Sequence, residues 1–214
     1  MAPTSKLSKG CCMSSRPAER NGGSVPVTVG AKPLKIVVAG GFASGKTTLV
    51  DAISEITPLT TEAPMTNHSV GVDDAGDVTT KTTTTVAMDF GRLTLSESTI
   101  LYVFGTPGQD RFWYMWDELS KGAVGSVVLV DTRRLPQCFA ALDYFEKRKL
   151  PYVVALNCFD GNLAHSTAEV REALSLADDI PLVTVDARNK ASAKAVLVEL
   201  VRHAIARRSR AATV

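Results

Sequence analysis

The sequence predicts an α/β fold, with a mostly parallel sheet of six strands, one antiparallel hairpin at its edge, and helices on both faces. Three observations lead to this fold class. Strand-like runs alternate with helical patterns, the strand-like runs are apolar on both faces, and two of them follow one another without an intervening helix. A chain of 214 residues is long enough for one such domain and its core.

The first ordered segment begins near Leu34. Residues 34–39 form an apolar run that is typical of a buried strand. A glycine turn and a helical pattern over residues 46–56 follow, and Pro58 ends that helix. Residues 57–84 are polar, include a run of threonines and offer almost nothing to a core, which is typical of a functional loop or a disordered segment.

The later elements complete the sheet. The antiparallel hairpin is predicted from residues 85–90 and 99–104, with its turn at Gly91-Arg92. Strands and helices then alternate, which indicates parallel pairing. The strands are predicted at residues 124–130, 152–156 and 182–185, and the helices at residues 135–149, 167–176 and 192–206.

Both ends of the chain are basic, and the body between them is acidic. Residues 1–33 carry five Lys or Arg against one Glu and show no hydrophobic period, so we expect a disordered extension before a domain at residues 34–206. Residues 207–214 are expected to form a basic C-terminal tail. The net charge is +2, and an acidic body argues against nucleic-acid binding. The basic ends allow a weak peripheral contact with a membrane surface.

The apolar pattern and the cysteines indicate a compartment. The strictly apolar runs are far shorter than the roughly 18 residues that a membrane span needs, and the N-terminus lacks the apolar region of a secretory signal. The four cysteines form no CxxC pair and no zinc spacing, as expected of a reduced protein. We therefore expect a cytoplasmic protein, with any membrane association made through partners or the basic ends.

The strongest motif lies between the first strand and the first helix and matches GxxxxGK[ST]. It consists of Gly40, Gly41, Phe42, Ala43, Ser44, Gly45, Lys46 and Thr47, and Thr48 extends the candidate nucleotide contacts. Glycines let the backbone curl until its N–H groups face phosphate oxygens, and the helix N-terminus favours the same anion. In such a loop Lys46 neutralises the β- and γ-phosphates, as a catalytic residue, and the Thr47 hydroxyl ligates Mg²⁺. The motif predicts a nucleoside triphosphate as ligand.

A second motif bears on the base. Asn157 and Asp160 come at the end of the strand over residues 152–156, where a doubly wound sheet binds its ligands. A carboxylate can accept hydrogen bonds from the N1–H and the 2-amino group of guanine, a donor pair that adenine lacks. Asn157 is suited to hold neighbouring loops together and to contact the base. NxxD alone is a weak pattern, but behind a phosphate loop it favours GTP.

These motifs resemble those of the Ras-like small GTPases. The resemblance covers residues 34–206, and the chain is most similar to the bacterial branch typified by MglA, in particular to the small GTPase component of actinobacterial conservon operons. The motifs that carry it are the phosphate loop, the polar segment ending in Thr85, Gly105-Thr106-Pro107-Gly108-Gln109-Asp110, Asn157-Cys158-Phe159-Asp160 and Val185-Asp186-Ala187-Arg188.

The resemblance implies further site residues. Thr85 would contact Mg²⁺ and the γ-phosphate, with the threonines at residues 82–84 as rivals. Gly108 would join the nucleotide contacts, and Gln109 would orient the attacking water rather than serve as a solvated loop residue. The backbone N–H of Ala187 would contact O6 of guanine.

Three positions depart from the Ras-like pattern. Gly105 stands where the second switch usually has an aspartate that holds a Mg²⁺-bound water, a change shared by MglA-type proteins. Asp89 is the candidate replacement, and its alternative is a hairpin carboxylate facing solvent. Cys158 replaces a lysine whose stem packs along the base, so guanine affinity is expected to drop. Phe42 stands where glycine is common and would crowd the approach of Gln109.

The sequence thus predicts a GTP-binding molecular switch that uses Mg²⁺ and slowly hydrolyses GTP to GDP and phosphate. Residues 57–84 and 105–116 would change order with the γ-phosphate. The resemblance implies a roadblock/LC7-type regulatory protein and a sensor-kinase system as partners. The alternative is a nucleotide-bound scaffold without significant turnover. An ATP-dependent enzyme such as a small kinase is disfavoured, because we find no acceptor-substrate or lid signature.

Overall fold

The computed structural model describes residues 30–60, 63–64, 83–84, 88–108 and 113–212. The strands are β1 (Lys32–Gly40), β2 (Leu59–Thr60), β3 (Ala63–Pro64), β4 (Thr83–Thr84), β5 (Asp89–Ser96), β6 (Thr99–Gly105), β7 (Gly125–Val130), β8 (Tyr152–Asn157) and β9 (Leu182–Val185). The helices are α1 (Lys46–Ile53), α2 (Trp113–Ser120), α3 (Phe139–Lys147), α4 (Thr167–Ala173) and α5 (Lys190–Ala212), with a 3₁₀ helix (Thr132–Cys138) before α3.

The central sheet has the order β2-β5-β6-β1-β7-β8-β9. Parallel pairing joins β6 to β1, β1 to β7, β7 to β8 and β8 to β9. Antiparallel pairing joins β5 to β6 and the two-residue β2 to β5, while β3 and β4 pair separately. The predicted α/β fold class is confirmed, with six main strands and the short β2 added at the hairpin edge.

Helices cover both faces of the sheet, and β1 shows why its sequence is apolar without interruption. Ile36 and Val38 face the core under α1 and α5, whereas Val37 and Ala39 face the core under α2, α3 and α4, and all four are 0% exposed. Alternate residues of a strand point to opposite faces, so a strand covered on both sides needs apolar residues at every position.

The hairpin differs from its prediction at Gly91, where a turn was expected. Instead β5 continues through Gly91 and Arg92, and the chain turns at residues 97–98. A Cβ at Gly91 would lie 2.8 Å from Cγ1 of Val50, so this glycine allows α1 to approach the strand closely. Glycine inside a strand often marks such a close approach, and here that role overrides its turn tendency.

Several helix boundaries also differ from the sequence prediction, and the helix predicted over residues 167–176 ends at Ala173. The first helix ends at Ile53 instead of residue 56, and the predicted helix over residues 135–149 is divided into the 3₁₀ helix and α3. Pro136 lies in the 3₁₀ helix, where its missing N–H prevents a regular α-helix. The last helix continues past residue 206 to Ala212. Among the described helices, including the 23 residues of α5, none is both long and apolar enough to cross a bilayer.

Candidate nucleotide-binding site

The predicted phosphate loop connects β1 to α1, at the carboxyl ends of the parallel strands. Gly40 has a φ of +145° and Gly45 a φ of +102°, values that L side chains rarely adopt. A Cβ at Gly40 would collide with the carbonyl oxygen of Leu129 in β7. At Gly45 a Cβ would lie 2.5 Å from Nδ2 of Asn157. The loop therefore curls against two neighbouring strands in a way that only glycine permits.

The other predicted loop residues differ in exposure. Ser44 is buried, Ala43 adopts a left-handed φ of 58°, and Thr48 lies exposed on α1. The side chain of Phe42 is 62% exposed. A Cβ at Gly108 would lie 3.0 Å from Cα of Phe42, so the segment that follows β6 lies over the loop backbone.

Lys46 is the buried cation of this loop. Its Nζ donates hydrogen bonds to the carbonyl oxygens of Gly40, at 3.0 Å, and Gly41, at 2.6 Å. Burial lowers the pKa of Lys46 to about 8, and the charge of Asp89 partly opposes that shift. An anion beside the ammonium group would favour its charged form further. Two carbonyl groups thus hold Lys46 in the loop, and its ammonium group is placed where a phosphate would stabilise the charged form.

Thr47 and Asp89 form the second polar pair. The hydroxyl of Thr47 donates to Oδ2 of Asp89 at 2.8 Å, and Asp89 is 4% exposed. Asp89 pairs in register with Gly105, where a Cβ would lie 2.8 Å from the same Oδ2. The carboxylate of β5 thus occupies the space beside position 105, and a solvent-facing hairpin carboxylate is excluded. Antiparallel pairing explains the contact, because the start of β5 lies beside the end of β6.

Two predicted site residues cannot be located. Gln109 and Thr85 lie outside the described residues, so their roles stay predictions from sequence. Gly108 is described and approaches the phosphate loop, since a Cβ there would lie 2.8 Å from Nζ of Lys46.

Asn157 links the loop to the far end of the site. Its Nδ2 donates to the carbonyl oxygen of Ser44 at 3.0 Å, and its Oδ1 accepts from the backbone N–H of Ala187 at 3.2 Å. The side chain is 5% exposed, so both hydrogen bonds are shielded from water. The structure brings Asn157 and Ala187 together with the phosphate loop, and the bonds fix the relative positions of three loops.

Asp160 follows three residues later and lies at the surface. It adopts a left-handed φ of 54°, and its side chain is 84% exposed. Oδ1 accepts a hydrogen bond from Nη1 of Arg188 at 2.9 Å. Beside it, a cleft of about 260 Å³ is lined by Asp131, Thr132, Arg133, Phe159, Asp160, Asn162, Leu163 and Ala164.

Three side chains near the site are not among the predicted site residues. Arg188 belongs to a recognised motif but received no role. Arg133 forms two hydrogen bonds to Asp131 and lies over the ring of Phe159, 4.1 Å from its centroid. Gln137 packs against the phosphate loop, and a Cβ added at Gly41 would lie 2.5 Å from the Cβ of Gln137. The motif that contains Arg188 could have pointed to that residue, whereas Gln137 belongs to no motif.

The chain matches a known protein family. Residues 38–207, well over half of the chain, match the family described as conserved hypothetical ATP binding protein. The chain belongs to this family. An uncharacterised protein of Methanocaldococcus jannaschii, MJ1339, is 31% identical over 129 residues, which are 59% of this chain and 71% of that protein.

Two solved structures are similar in fold to this chain. The small GTPase Arl6 (BBS3) of Trypanosoma brucei, with bound GppNp, matches with a TM-score of 0.56 and 18% identity, over 81% of this chain and 98% of that one. The G domain of the iron transporter FeoB of T. maritima matches with a TM-score of 0.54 and 18% identity, over 81% and 99%. The chain has the P-loop fold of these small GTPases.

Proposed function

We propose that this protein is a guanine-nucleotide switch that binds GTP with Mg²⁺ and hydrolyses it slowly to GDP and phosphate. The observation that carries the proposal is the bridge made by Asn157. It joins the phosphate loop at Ser44 to the backbone N–H of Ala187, and Asp160 follows on the same loop. A P-loop protein that couples its phosphate site to a carboxylate at the base end is built to recognise the whole nucleotide.

The phosphate end supports binding of a triphosphate with its metal. Thr47 and Asp89 offer hard oxygen donors, the ligands that Mg²⁺ prefers, and the buried Asp89 carboxylate already accepts a bond from the Thr47 hydroxyl. We assign Asp89 the place that an aspartate at position 105 takes in Ras-like proteins, with Thr85 as the further ligand. Bound Mg²⁺ would neutralise charge on the β- and γ-phosphate oxygens. The ammonium group of Lys46 would bind the same phosphates.

The base end decides between guanine and adenine. The carboxylate of Asp160 can accept two N–H groups from guanine, and adenine has no such pair. The test is the affinity of wild type and Asp160→Ala for GDP and ADP. We expect wild type to prefer GDP and the variant to lose about a hundredfold in GDP affinity with little change for ADP. An unchanged preference in the variant would refute the guanine assignment.

The family description favours a second candidate, an ATP-binding protein. Both candidates use the same phosphate loop, so the difference lies in the base. The nucleotide that co-purifies with the protein separates them, since extracted GDP or GTP supports the switch and extracted ADP or ATP supports the second candidate.

The proposed slow hydrolysis of GTP depends on Gln109 and on a partner protein. We propose that Gln109 orients the attacking water and that a partner supplies a cation or fixes Gln109, a contribution worth roughly 10³ to 10⁵ in rate in this reaction class. Single-turnover assays of wild type and Gln109→Ala, with and without partner, test this. Unaided turnover above about 1 s⁻¹ would be far faster than an unassisted switch allows. No turnover under any condition would instead support a nucleotide-bound scaffold.

The finer assignments rest on the resemblance to MglA-type GTPases of conservon operons. They comprise a cytoplasmic switch that works with a roadblock/LC7-type regulator and a sensor kinase, in which residues 57–84 and 105–116 respond to the γ-phosphate. The basic ends add a weak attraction to anionic surfaces. Co-purification with the nucleotide-loaded full chain tests both partners, because a switch partner distinguishes the GTP form from the GDP form.

A further inference from the structure

Arg188 is a charged side chain at the base end that the proposed function leaves without a role. It lies in the loop between β9 and α5, one residue after Ala187, and its Nη1 donates to Oδ1 of Asp160 at 2.9 Å. The two residues are 28 positions apart in sequence, so the contact joins two separate loops of the base end.

The guanidinium group of Arg188 is also held by a second carboxylate, that of Asp186. Its Nε donates to Oδ1 of Asp186 at 3.1 Å and its Nη2 donates to Oδ2 at 3.3 Å. The backbone N–H of Asp186 donates to the hydroxyl of Ser192 in α5 at 3.0 Å, which anchors the arrangement to a helix. The bonds to the two aspartates raise the pKa of Arg188, and Arg188 lowers the pKa of Asp186. The planar fork is thus presented to Asp160 in a fixed orientation.

Asp160 needs such support more than a buried carboxylate would. Its side chain is 84% exposed, so core packing does not fix its rotamer. Position 158 holds a cysteine instead of the lysine of the Ras-like motif, and a thiol cannot supply a cation beside the base. Arg188 brings a cation to this end of the site from the neighbouring loop.

The ion pair leaves room for guanine. A carboxylate has about four lone-pair sites, and the bond from Arg188 takes one site of Oδ1. The N1–H and the 2-amino group of guanine can therefore bind the same carboxylate without displacing the arginine. We propose that Arg188 is a positioning residue that holds Asp160 in the orientation which guanine requires, and so sets base selectivity. This inference rests on the proposed guanine-nucleotide function.

The competing interpretation is an ordinary surface ion pair, which contributes little to any property. Inosine diphosphate separates the two, because it lacks the 2-amino group of guanine but is otherwise the same ligand. The GDP-to-IDP affinity ratio therefore reports how well Asp160 engages that amino group, and a purely structural effect would weaken both ligands equally.

The experiment measures GDP, IDP and ADP affinities of wild type, Asp160→Ala, Arg188→Ala and the control Arg148→Ala. Arg148 also pairs with a carboxylate, Asp117, but follows α3 at the opposite end of the strands. We expect Arg188→Ala to lose about tenfold in GDP affinity, with a GDP-to-IDP ratio that falls towards that of Asp160→Ala. The Arg148→Ala ratio should stay within twofold of wild type, because its charge change is remote.

The outcomes are distinct. A wild type that does not prefer GDP over ADP removes the guanine function and this inference with it. The positioning role alone is overturned by a different result. In that result wild type prefers GDP, Asp160→Ala loses the preference, and Arg188→Ala keeps the full GDP-to-IDP affinity ratio of wild type. An equal fall in Arg188→Ala and Arg148→Ala also overturns it, because net charge would then explain the effect. Thermal unfolding of both variants checks that each is folded.

Discussion

The two ends of the candidate site are built differently. At the phosphate end the polar groups are buried, with Lys46 and Asp89 at 8% and 4% exposure. At the base end Asp160 and Arg188 are 84% and 58% exposed. The phosphate end departs from the Ras-like pattern at Phe42 and Gly105, and the base end departs from it at Cys158. Asp89 lies beside Gly105, and Arg188 pairs with Asp160 in the loop that holds Cys158.

The difference shows how a replacement group can be positioned. Asp89 is held by strand register and burial, so its position follows from the backbone of the sheet. Arg188 is held by side-chain ion pairs at the surface, which are weaker and screened by salt. We therefore expect the loss of Asp89 to have a larger effect on nucleotide affinity than the loss of Arg188.

The largest effect is expected when the Asp89 carboxylate is removed. Asp89→Ala should lose about a hundredfold in Mg²⁺-dependent GDP affinity, because a charged hydrogen-bonding group is removed. Gly105→Asp alone should destabilise the fold by about 1–3 kcal/mol, since its Cβ would lie 2.8 Å from Oδ2 of Asp89. Combining Gly105→Asp with Asp89→Gly should recover most of the affinity.

GDP titrations in Mg²⁺ and in EDTA, with thermal unfolding, measure these three variants. Asp51→Asn is the matched control, because Asp51 is an exposed carboxylate one turn further along α1. A double variant no better than Asp89→Ala would show that the two positions are not equivalent.

A smaller but still large effect is expected at the residue that connects the ends. Asn157→Ala removes two shielded hydrogen bonds and leaves the Ser44 carbonyl and the Ala187 N–H without them. We expect GDP affinity to fall about thirtyfold, at roughly 1 kcal/mol for each bond. Isothermal titration measures the loss, and the control Glu172→Ala, at an exposed position of α4, should change affinity less than twofold. Equal losses in both variants would contradict the bridging role of Asn157.

The smallest effect concerns the thiol at the base end. Cys158 is partly exposed beside the site, so bound GDP should slow its alkylation several-fold. Burial raises the pKa of Cys138 to about 12, so at pH 8 very little of Cys138 is the reactive thiolate. Mass spectrometry of alkylated peptides follows both cysteines in one sample. Nucleotide that leaves the Cys158 rate unchanged would place the base elsewhere.

Much of the fold was predictable because apolar periodicity reports burial directly. The run in β1 indicated a strand covered on both faces, and the structure places its residues alternately in two cores. The turn at Gly91-Arg92 was wrong, because glycine marks both turns and close approaches, and the sequence does not contain the position of Val50. The end of α5 was placed too early, since the apolar pattern stops before the helical backbone does.

The site was predictable where a motif defines the backbone. The phosphate loop has both glycines at the positive φ angles that such a loop needs. The burial of Asp89 was not predictable from sequence, because it depends on the register between β5 and β6. The ion pair between Arg188 and Asp160 was missed, because it joins loops that only the folded sheet brings together.

Gly91 lies two residues from Asp89 on β5 and carries no functional group. It meets Val50 on α1, the helix that also carries Thr47. The spacing between α1 and β5 therefore sets the 2.8 Å distance between the Thr47 hydroxyl and Asp89. A single methyl group at position 91 would push helix and strand apart and stretch that distance. The Thr47–Asp89 pair, which we propose as ligands of Mg²⁺, can thus be distorted through a residue that has no side chain.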